Sequence, residues 1–142
     1  MSTTALRSRF CYVCGGDNKF GLRTTFLFDG LTVEAEFNPQ VEHCGFDNVV
    51  HGGILFALAD EAMMQLIHAC GVRAVTAEVL IRFKRPAFIG DKIMVRAERL
   101  RCRGRLVECG VAVFDGSGEI ICSGEGKFLR YLDNNQFKKS WL

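Results

Sequence analysis

The 142-residue chain has the length of a single domain, and 49% hydrophobic content is enough for one substantial core. Its 18 basic and 16 acidic residues leave a net charge of +2, without the strongly basic stripe that nucleic-acid binding requires. No apolar run approaches the roughly 20 residues that span a bilayer, and the N-terminus lacks the apolar core of a signal peptide. We therefore expect neither nucleic acid nor membrane as a partner, and we predict a soluble, cytoplasmic protein.

Seven cysteines are spread over the chain, and several lie inside periodic apolar segments, as is typical of reduced thiols in the cytosol. Cys11 and Cys14 form a single C-x-x-C pair. A structural zinc ion would need two further ligands, for which His43 and Cys44 are the only obvious nearby candidates. A turn or partly buried thiols explain the pair more simply, so we expect no metal, no cofactor and no disulfide.

The predicted elements start with a β-hairpin. Residues 32–37 alternate apolar with polar side chains, the period of two that is typical of a half-buried strand. Asp29-Gly30 is a turn signal, so residues 22–28 are predicted as the partner strand. Three regions are expected along the chain: an N-terminal segment over residues 1–21, a folded domain over residues 22–132 and a C-terminal tail over residues 133–142.

One long helix follows the hairpin. Apolar residues recur at helical spacing through residues 54–70, and Gly71 then supplies a stop. Because this helix is apolar on most of its circumference, it must be buried on most sides. Alternation returns in four segments that are predicted as a meander of strands: residues 75–83, 93–97, 107–113 and 120–128. The economical arrangement is α+β, with a curved antiparallel sheet wrapped around one long central helix.

A motif lies where the helix begins. Residues 50–62 read VHGGILFALADEA and resemble the HGG…D/E signature of phenylacetate-catabolism (PaaI)-like acyl-CoA thioesterases, a family of the hotdog-fold superfamily. The resemblance covers roughly residues 11–130 and includes the opening CYVCG segment of one subgroup. It implies the hotdog fold, hydrolysis of an acyl-thioester such as acyl-CoA, and a homodimer that often pairs again into a homotetramer.

Thioester hydrolysis needs a donor that polarises the carbonyl and a base or nucleophile that delivers the attack. Gly52 and Gly53 begin the helix, where N–H groups lack intrahelical partners and the missing side chains let a substrate approach the backbone. We predict that the Gly52 N–H is the donor and that Gly53 lies against the substrate. The alternative is that both glycines only relieve crowding between helix and sheet.

Two adjacent carboxylates compete for the role of base or nucleophile. Glu61 aligns on the helix with the polar Gln65 and His68, whereas Asp60 aligns with apolar side chains. Desolvation makes a carboxylate among apolar groups a stronger base than an exposed one, so Asp60 is predicted to act and Glu61 is the second choice. The resemblance also implies Asp60. A carboxylate that is merely satisfied by a buried hydrogen bond is the alternative.

Further candidates surround this pair. By resemblance, Thr76 orients the acid or its water, although it also fits an ordinary strand position, and His51 orients the loop rather than transferring a proton. The related family often has an asparagine six positions before the histidine; here that position is Gly45, and Asn48 is the nearby candidate for substrate binding. Basic residues could bind the phosphates of coenzyme A, foremost Arg85, together with Lys84, Arg103 and Arg105.

The spacing of the motif indicates that two chains share each active site. Gly52 and Asp60 are eight residues apart on one helix, which is about 12 Å along its axis. One thioester carbon cannot contact both. A two-fold dimer with antiparallel helices would place the glycines of one chain beside Asp60 of the other.

Two other functions are compatible with the same fold. A non-catalytic acyl-CoA or lipid-binding module would keep the pocket without turnover, but the retention of Asp60 together with the glycines favours hydrolysis. A hydratase or dehydratase would need a separate Asp/His pair, which the sequence does not show in a suitable place.

Overall fold

A single long helix packs against a curved, seven-stranded antiparallel sheet in the computed structural model, which describes residues 2–3 and 8–131 except for the side chains of residues 99 and 100. The helix is α1 (Gly52–Ala69). The strands are β1 (Ser2–Thr3), β2 (Leu27–Phe28), β3 (Thr32–Phe37), β4 (Ala74–Phe83), β5 (Ile93–Arg103), β6 (Leu106–Phe114) and β7 (Ile120–Arg130). A short 3-10 helix (Val41–His43) precedes α1. The predicted tail over residues 133–142 lies outside the described residues.

The helix forms much as its periodicity predicts. It starts two residues earlier than expected, at Gly52, and it ends before Gly71, whose φ of +80° lies in the left-handed region. One side of α1 is fully buried against the sheet, where Leu58, Met63 and Leu66 have no exposed surface. The predicted central helix and curved sheet are thus confirmed.

The order of strands in the sheet is β1-β2-β3-β5-β6-β7-β4. The predicted four-stranded meander is therefore wrong for its first strand: β5, β6 and β7 form a meander, while β4 pairs with β7 at the far edge. The cause is that β3 already occupies the remaining edge of β5, with Phe37 opposite Ile93 and Val33 opposite Ala97. β4 consequently forms an edge of the sheet, and among the described residues it pairs on one side only.

The strand predicted over residues 22–28 is reduced to the two residues of β2. Its first part instead bonds to the N-terminal segment, since Leu22 N–H donates to Tyr12 O at 2.7 Å and Thr24 N–H to Val13 O at 2.8 Å. Both Val13 and Cys14 are buried in the core. The N-terminal segment therefore packs as part of the folded unit.

The β4–β7 pair depends on the absence of a side chain at Gly124. A Cβ at this position would lie 1.9 Å from Leu80 O, a backbone atom that cannot rotate away. Gly124→Ala should therefore force the two strands apart and destabilise the fold by about 1–3 kcal/mol, as overpacking typically does. The measurement is the denaturant concentration at which half of the protein is unfolded. Gly16→Ala is the matched control, since nothing lies within 4 Å of its Cβ, and an equal loss in both variants would contradict the prediction.

Candidate active site

The start of α1 is held by a closed loop over residues 43–51. His51 N–H donates to His43 O at 2.8 Å, and Cys44 forms an isolated bridge with Val50. His51 is the N-cap of α1, and its Nδ1 accepts a hydrogen bond from Gly53 N–H at 2.8 Å. The histidine side chain thus fixes the first turn of the helix.

The two glycines at this helix end differ in their hydrogen bonding. The amide of Gly53 is taken up by His51 Nδ1, so it is not available to a substrate in this conformation. No acceptor for the Gly52 N–H is found within the described part of the chain, and Gly52 is exposed. The helix N-terminus therefore presents one unpaired amide with partial positive charge to the outside.

Asp60 lies eight residues beyond Gly52 on α1, about two turns of helix and too far for direct contact with that amide, but it has a partner on the sheet. Thr76 Oγ1, on β4, donates to Asp60 Oδ1 at 2.9 Å. The Asp60 carboxylate is partly buried, and its burial raises its pKa. The hydrogen bond from Thr76 acts in the opposite direction and lowers the pKa. The negative charge of Glu61 also raises the pKa of Asp60. The arrangement holds an acid whose basicity is increased.

Glu61 has surroundings that the helical spacing did not reveal. Gln65 is fully buried, and its Nε2 donates to Glu61 Oε1 at 2.7 Å. The N-terminal segment covers this part of the helix, since Gln65 Nε2 also lies 3.5 Å from Cys14 Sγ. Three groups that can ligate a metal ion meet here, since ligand atoms of Cys11, Cys14 and Glu61 lie within 4.8 Å of one another. His43 and Cys44, the ligands considered from the sequence, do not join this cluster.

A depression of about 340 Å³ opens beside Gly52. Phe83 and Arg85 line it, and Arg85 is also paired with Asp115 at 3.3 Å and with Glu119 at 3.7 Å. A larger groove of about 1030 Å³ lies between residues 19–27 and the outer part of the sheet, and neither Gly52 nor Asp60 lines it. The smaller depression is therefore the one connected with the motif.

The remaining predicted residues are dispersed. Asn48 is exposed in the loop before α1, where it adopts a φ of +64° and its carbonyl accepts from Ile89 N–H at 3.0 Å. Lys84 N–H bonds to Ile121 O near the start of β7, whereas Arg105 O accepts from Arg130 N–H at its end. The structure therefore brings Lys84 and Arg85 to the depression beside Gly52, and within one chain it separates them from the turn that carries Arg103 and Arg105.

Exposed apolar side chains along β4 and α1 were not identified from the sequence as part of the site. Leu80 is 54% exposed, Phe83 is 52% exposed and Phe56 is 37% exposed. The first two lie on the edge strand, and the third is on the helix one turn before Asp60. In the sequence these residues are recognisable only as apolar positions in excess of those that the core of one chain can bury.

In the described part of the chain, no helix combines the length and apolarity needed to cross a membrane.

Known proteins resemble this chain in sequence. A family model described as thioesterase superfamily matches residues 47–122, just over half of the 142 residues. An Archaeoglobus fulgidus protein described as "Putative esterase" is 29% identical over 97 residues, which are 68% of this chain and 63% of that protein. Acyl-coenzyme A thioesterase PaaI of Escherichia coli K12 is 35% identical over 68 residues, which are 48% of this chain and 44% of that enzyme. The matched region is thus less than two thirds of the length of either relative.

Solved structures show the same fold. Protein RHA08564, described as a thioesterase superfamily protein, has a TM-score of 0.79 at 23% identity, covering 85% of this chain and 60% of its own. The Escherichia coli PaaI protein has a TM-score of 0.73 at 23% identity, covering 77% of this chain and 84% of its own. The smu.793 protein of Streptococcus mutans UA159 was solved bound to acetyl CoA. It has a TM-score of 0.72 at 16% identity, covering 76% of this chain and 88% of its own. These likenesses confirm the predicted hotdog fold.

Proposed function

We propose that this chain, which belongs to the thioesterase superfamily, hydrolyses an acyl-thioester of coenzyme A or a similar thiol to a free acid and the thiol. The observation that carries the proposal is the combination of an unpaired Gly52 amide at a helix start with a partly buried Asp60 that Thr76 holds in place. These are the donor and the base that thioester hydrolysis needs. The named relatives, an acyl-coenzyme A thioesterase among them, support the same reaction class.

In this mechanism the thioester carbonyl oxygen accepts a hydrogen bond from Gly52 N–H, and the partial positive charge of the helix start stabilises the oxyanion. Asp60 takes a proton from a water molecule, or attacks the carbonyl carbon itself and is then released by water. In either case a carbon–oxygen bond forms, the carbon–sulfur bond breaks, and the thiolate leaves and takes up a proton. The orientation of the Asp60 carboxylate is set by Thr76.

We further propose that each site is built by two chains of a homodimer. The axial separation of Gly52 and Asp60, about 12 Å for eight residues, excludes a single chain from contacting one carbonyl with both. Within the described part of the chain one edge of β4 has no partner strand, and it carries the exposed apolar side chains Leu80 and Phe83, which an antiparallel copy of β4 could cover. A two-fold axis across this edge runs the two α1 helices antiparallel, and two such dimers can pair again into a tetramer.

The thiol carrier is expected to enter beside Gly52. Lys84 supplies positive charge at the mouth of the depression there, which suits the phosphates of coenzyme A, and Arg85 can join it by exchanging its ion pairs with Asp115 and Glu119 for a phosphate. Two solved proteins of the same fold were crystallised with coenzyme A or acetyl CoA, which supports this carrier over a protein-bound one.

The test of the reaction is turnover of a panel of acyl-CoA substrates by the purified full-length chain, followed through the released thiol. We expect hydrolysis that saturates with substrate. Tight binding of acyl-CoA without turnover of any member would overturn hydrolysis and support the alternative, a non-catalytic acyl-CoA or lipid-binding module.

The pKa of Asp60 predicts the pH dependence of the reaction. Because burial raises this pKa above the ordinary value for an aspartate, and only the ionised form can act, kcat/KM should fall on acidification at a pH above that value. The Thr76 hydrogen bond lowers the pKa, so Thr76→Val should move the acid limb of the profile to still higher pH. Thr76→Ser, which keeps the hydroxyl, is the control. An acid limb that is unchanged in Thr76→Val would show that Asp60 is not the titrating group.

A further inference from the structure

We propose that Cys11, Cys14 and Glu61 form a Zn²⁺ site that fastens the N-terminal segment to α1. Their ligand atoms lie within 4.8 Å of one another. The two sulfurs come from one tight turn and the carboxylate comes from the helix that the turn covers. This site is separate from the proposed thioesterase chemistry and does not depend on it.

The turn that carries the two cysteines is shaped so that their sulfurs converge. Cys11 O accepts from Gly15 N–H at 2.8 Å, and Cys14 N–H points at Cys11 Sγ, 3.4 Å away. A Cβ at Gly15 would lie 2.5 Å from both the nitrogen and the oxygen of Cys11. The glycine that follows the C-x-x-C pair is therefore required by the turn, because any side chain there would collide with the backbone of Cys11.

The third ligand is held in place by a buried side chain. Gln65 has no exposed surface, and its Nε2 lies 2.7 Å from Glu61 Oε1 and 3.5 Å from Cys14 Sγ. One amide group thus donates to both the carboxylate and a sulfur. Donors that orient first-sphere ligands from behind in this way are characteristic of metal sites.

The chemistry of the three groups selects the ion. Thiolate sulfur favours zinc among the common divalent ions, and carboxylate oxygen is also an accepted zinc ligand. Tetrahedral zinc with bonds of about 2.3 Å to sulfur and about 2.1 Å to oxygen places its ligand atoms roughly 3.6–3.8 Å apart. The ligand atoms, within 4.8 Å of one another, would have to approach by about 1 Å to bind one ion, and a water molecule would complete the tetrahedron.

The charge balance also favours a cation. A divalent ion between the groups compensates the two thiolates and the carboxylate. A disulfide between Cys11 and Cys14 is the alternative explanation of the pair. It would not explain why the Glu61 carboxylate lies beside the two sulfurs or why Gln65 donates to that carboxylate.

The experiment is a metal analysis of the purified full-length chain, together with Zn²⁺ titration of the metal-free, reduced protein. We expect one zinc ion per chain, and with Co²⁺ in its place an absorption band from thiolate-to-metal charge transfer. Cys11→Ser should greatly weaken that band, because one of the two thiolate ligands is lost, and Gln65→Ala should weaken zinc binding about 10–100-fold. Cys70→Ser, at an exposed cysteine outside the cluster, is the matched control and should bind as the unchanged chain does.

A second variant keeps the test decisive if loss of a cysteine impairs folding. Glu61→Gln preserves size and removes one ligand, so its circular dichroism should be unchanged while its zinc affinity falls. A reduced, folded chain that binds neither zinc nor cobalt would overturn the proposal. So would zinc binding that is equally strong in Cys11→Ser and in the unchanged chain.

Discussion

Asp60→Asn should reduce kcat by about 10²–10⁴-fold, the usual contribution of a positioned general base. The amide keeps the size of the carboxylate and its oxygen can still accept the hydrogen bond from Thr76, but the group can no longer take a proton or attack a carbonyl. The fold should remain intact or gain a little stability, because the charge of a partly buried acid is removed. The measurement is steady-state hydrolysis of an acyl-CoA, with a denaturation curve for each variant.

Glu61→Gln is the matched control for this experiment, since it changes the neighbouring acid in the same way. It should reduce kcat much less than Asp60→Asn, since Glu61 is engaged by Gln65 on another side of the helix. The reverse order of effects would transfer the catalytic role to Glu61. Near-normal kcat in both variants would exclude a carboxylate mechanism, whatever the outcome of the zinc titration.

Most of the fold is encoded in local patterns that a single sequence displays. Residues 32–37 alternate strictly and form β3 with the predicted bounds, since each inward side chain is buried against the core. β5 continues to Arg103, past its predicted end at residue 97, because its last part is a charged hairpin arm stabilised by the Arg101–Glu108 ion pair. The register of this arm against β6 shifts between Arg99 and Arg101, which interrupts the period of two, so alternation does not mark it although Cys102 packs against the core.

The place of β4 could not be read from periodicity, because alternation shows that a segment is a strand but not which strand it pairs with. β4 lies beside β7, about forty residues later in the chain, and only the occupation of the β5 edge by β3 decides this. The same limit applies to the site. The motif placed Gly52 and Asp60 on one helix, whereas the contact of Cys14 with Gln65, 51 residues apart, depends on how the N-terminal segment folds back.

Hydrolysis should reappear when two inactive variants exchange subunits. Asp60→Asn lacks the base, and Gly52→Pro lacks the N–H that we assign to the oxyanion, a loss worth roughly 2.7–4 kcal/mol of transition-state stabilisation. Gly52 is the first residue of α1, the position at which helices accept proline, so the variant should fold. Gly52→Ala is its matched control: it keeps the N–H, and its Cβ would lie 3.7 Å from the Phe83 ring, an ordinary contact.

In a shared-site dimer, a heterodimer of the two variants has one site with both lesions and one site with neither. Each heterodimer should then show about half the activity of an unchanged dimer, and an equimolar mixture after complete exchange about a quarter. If each chain built its own site, every site in the mixture would carry one lesion and no activity would return. Native mass spectrometry reports the exchange, so a mixture that contains heterodimers and stays inactive would refute the shared site. A fully active monomer in sedimentation would refute it as well.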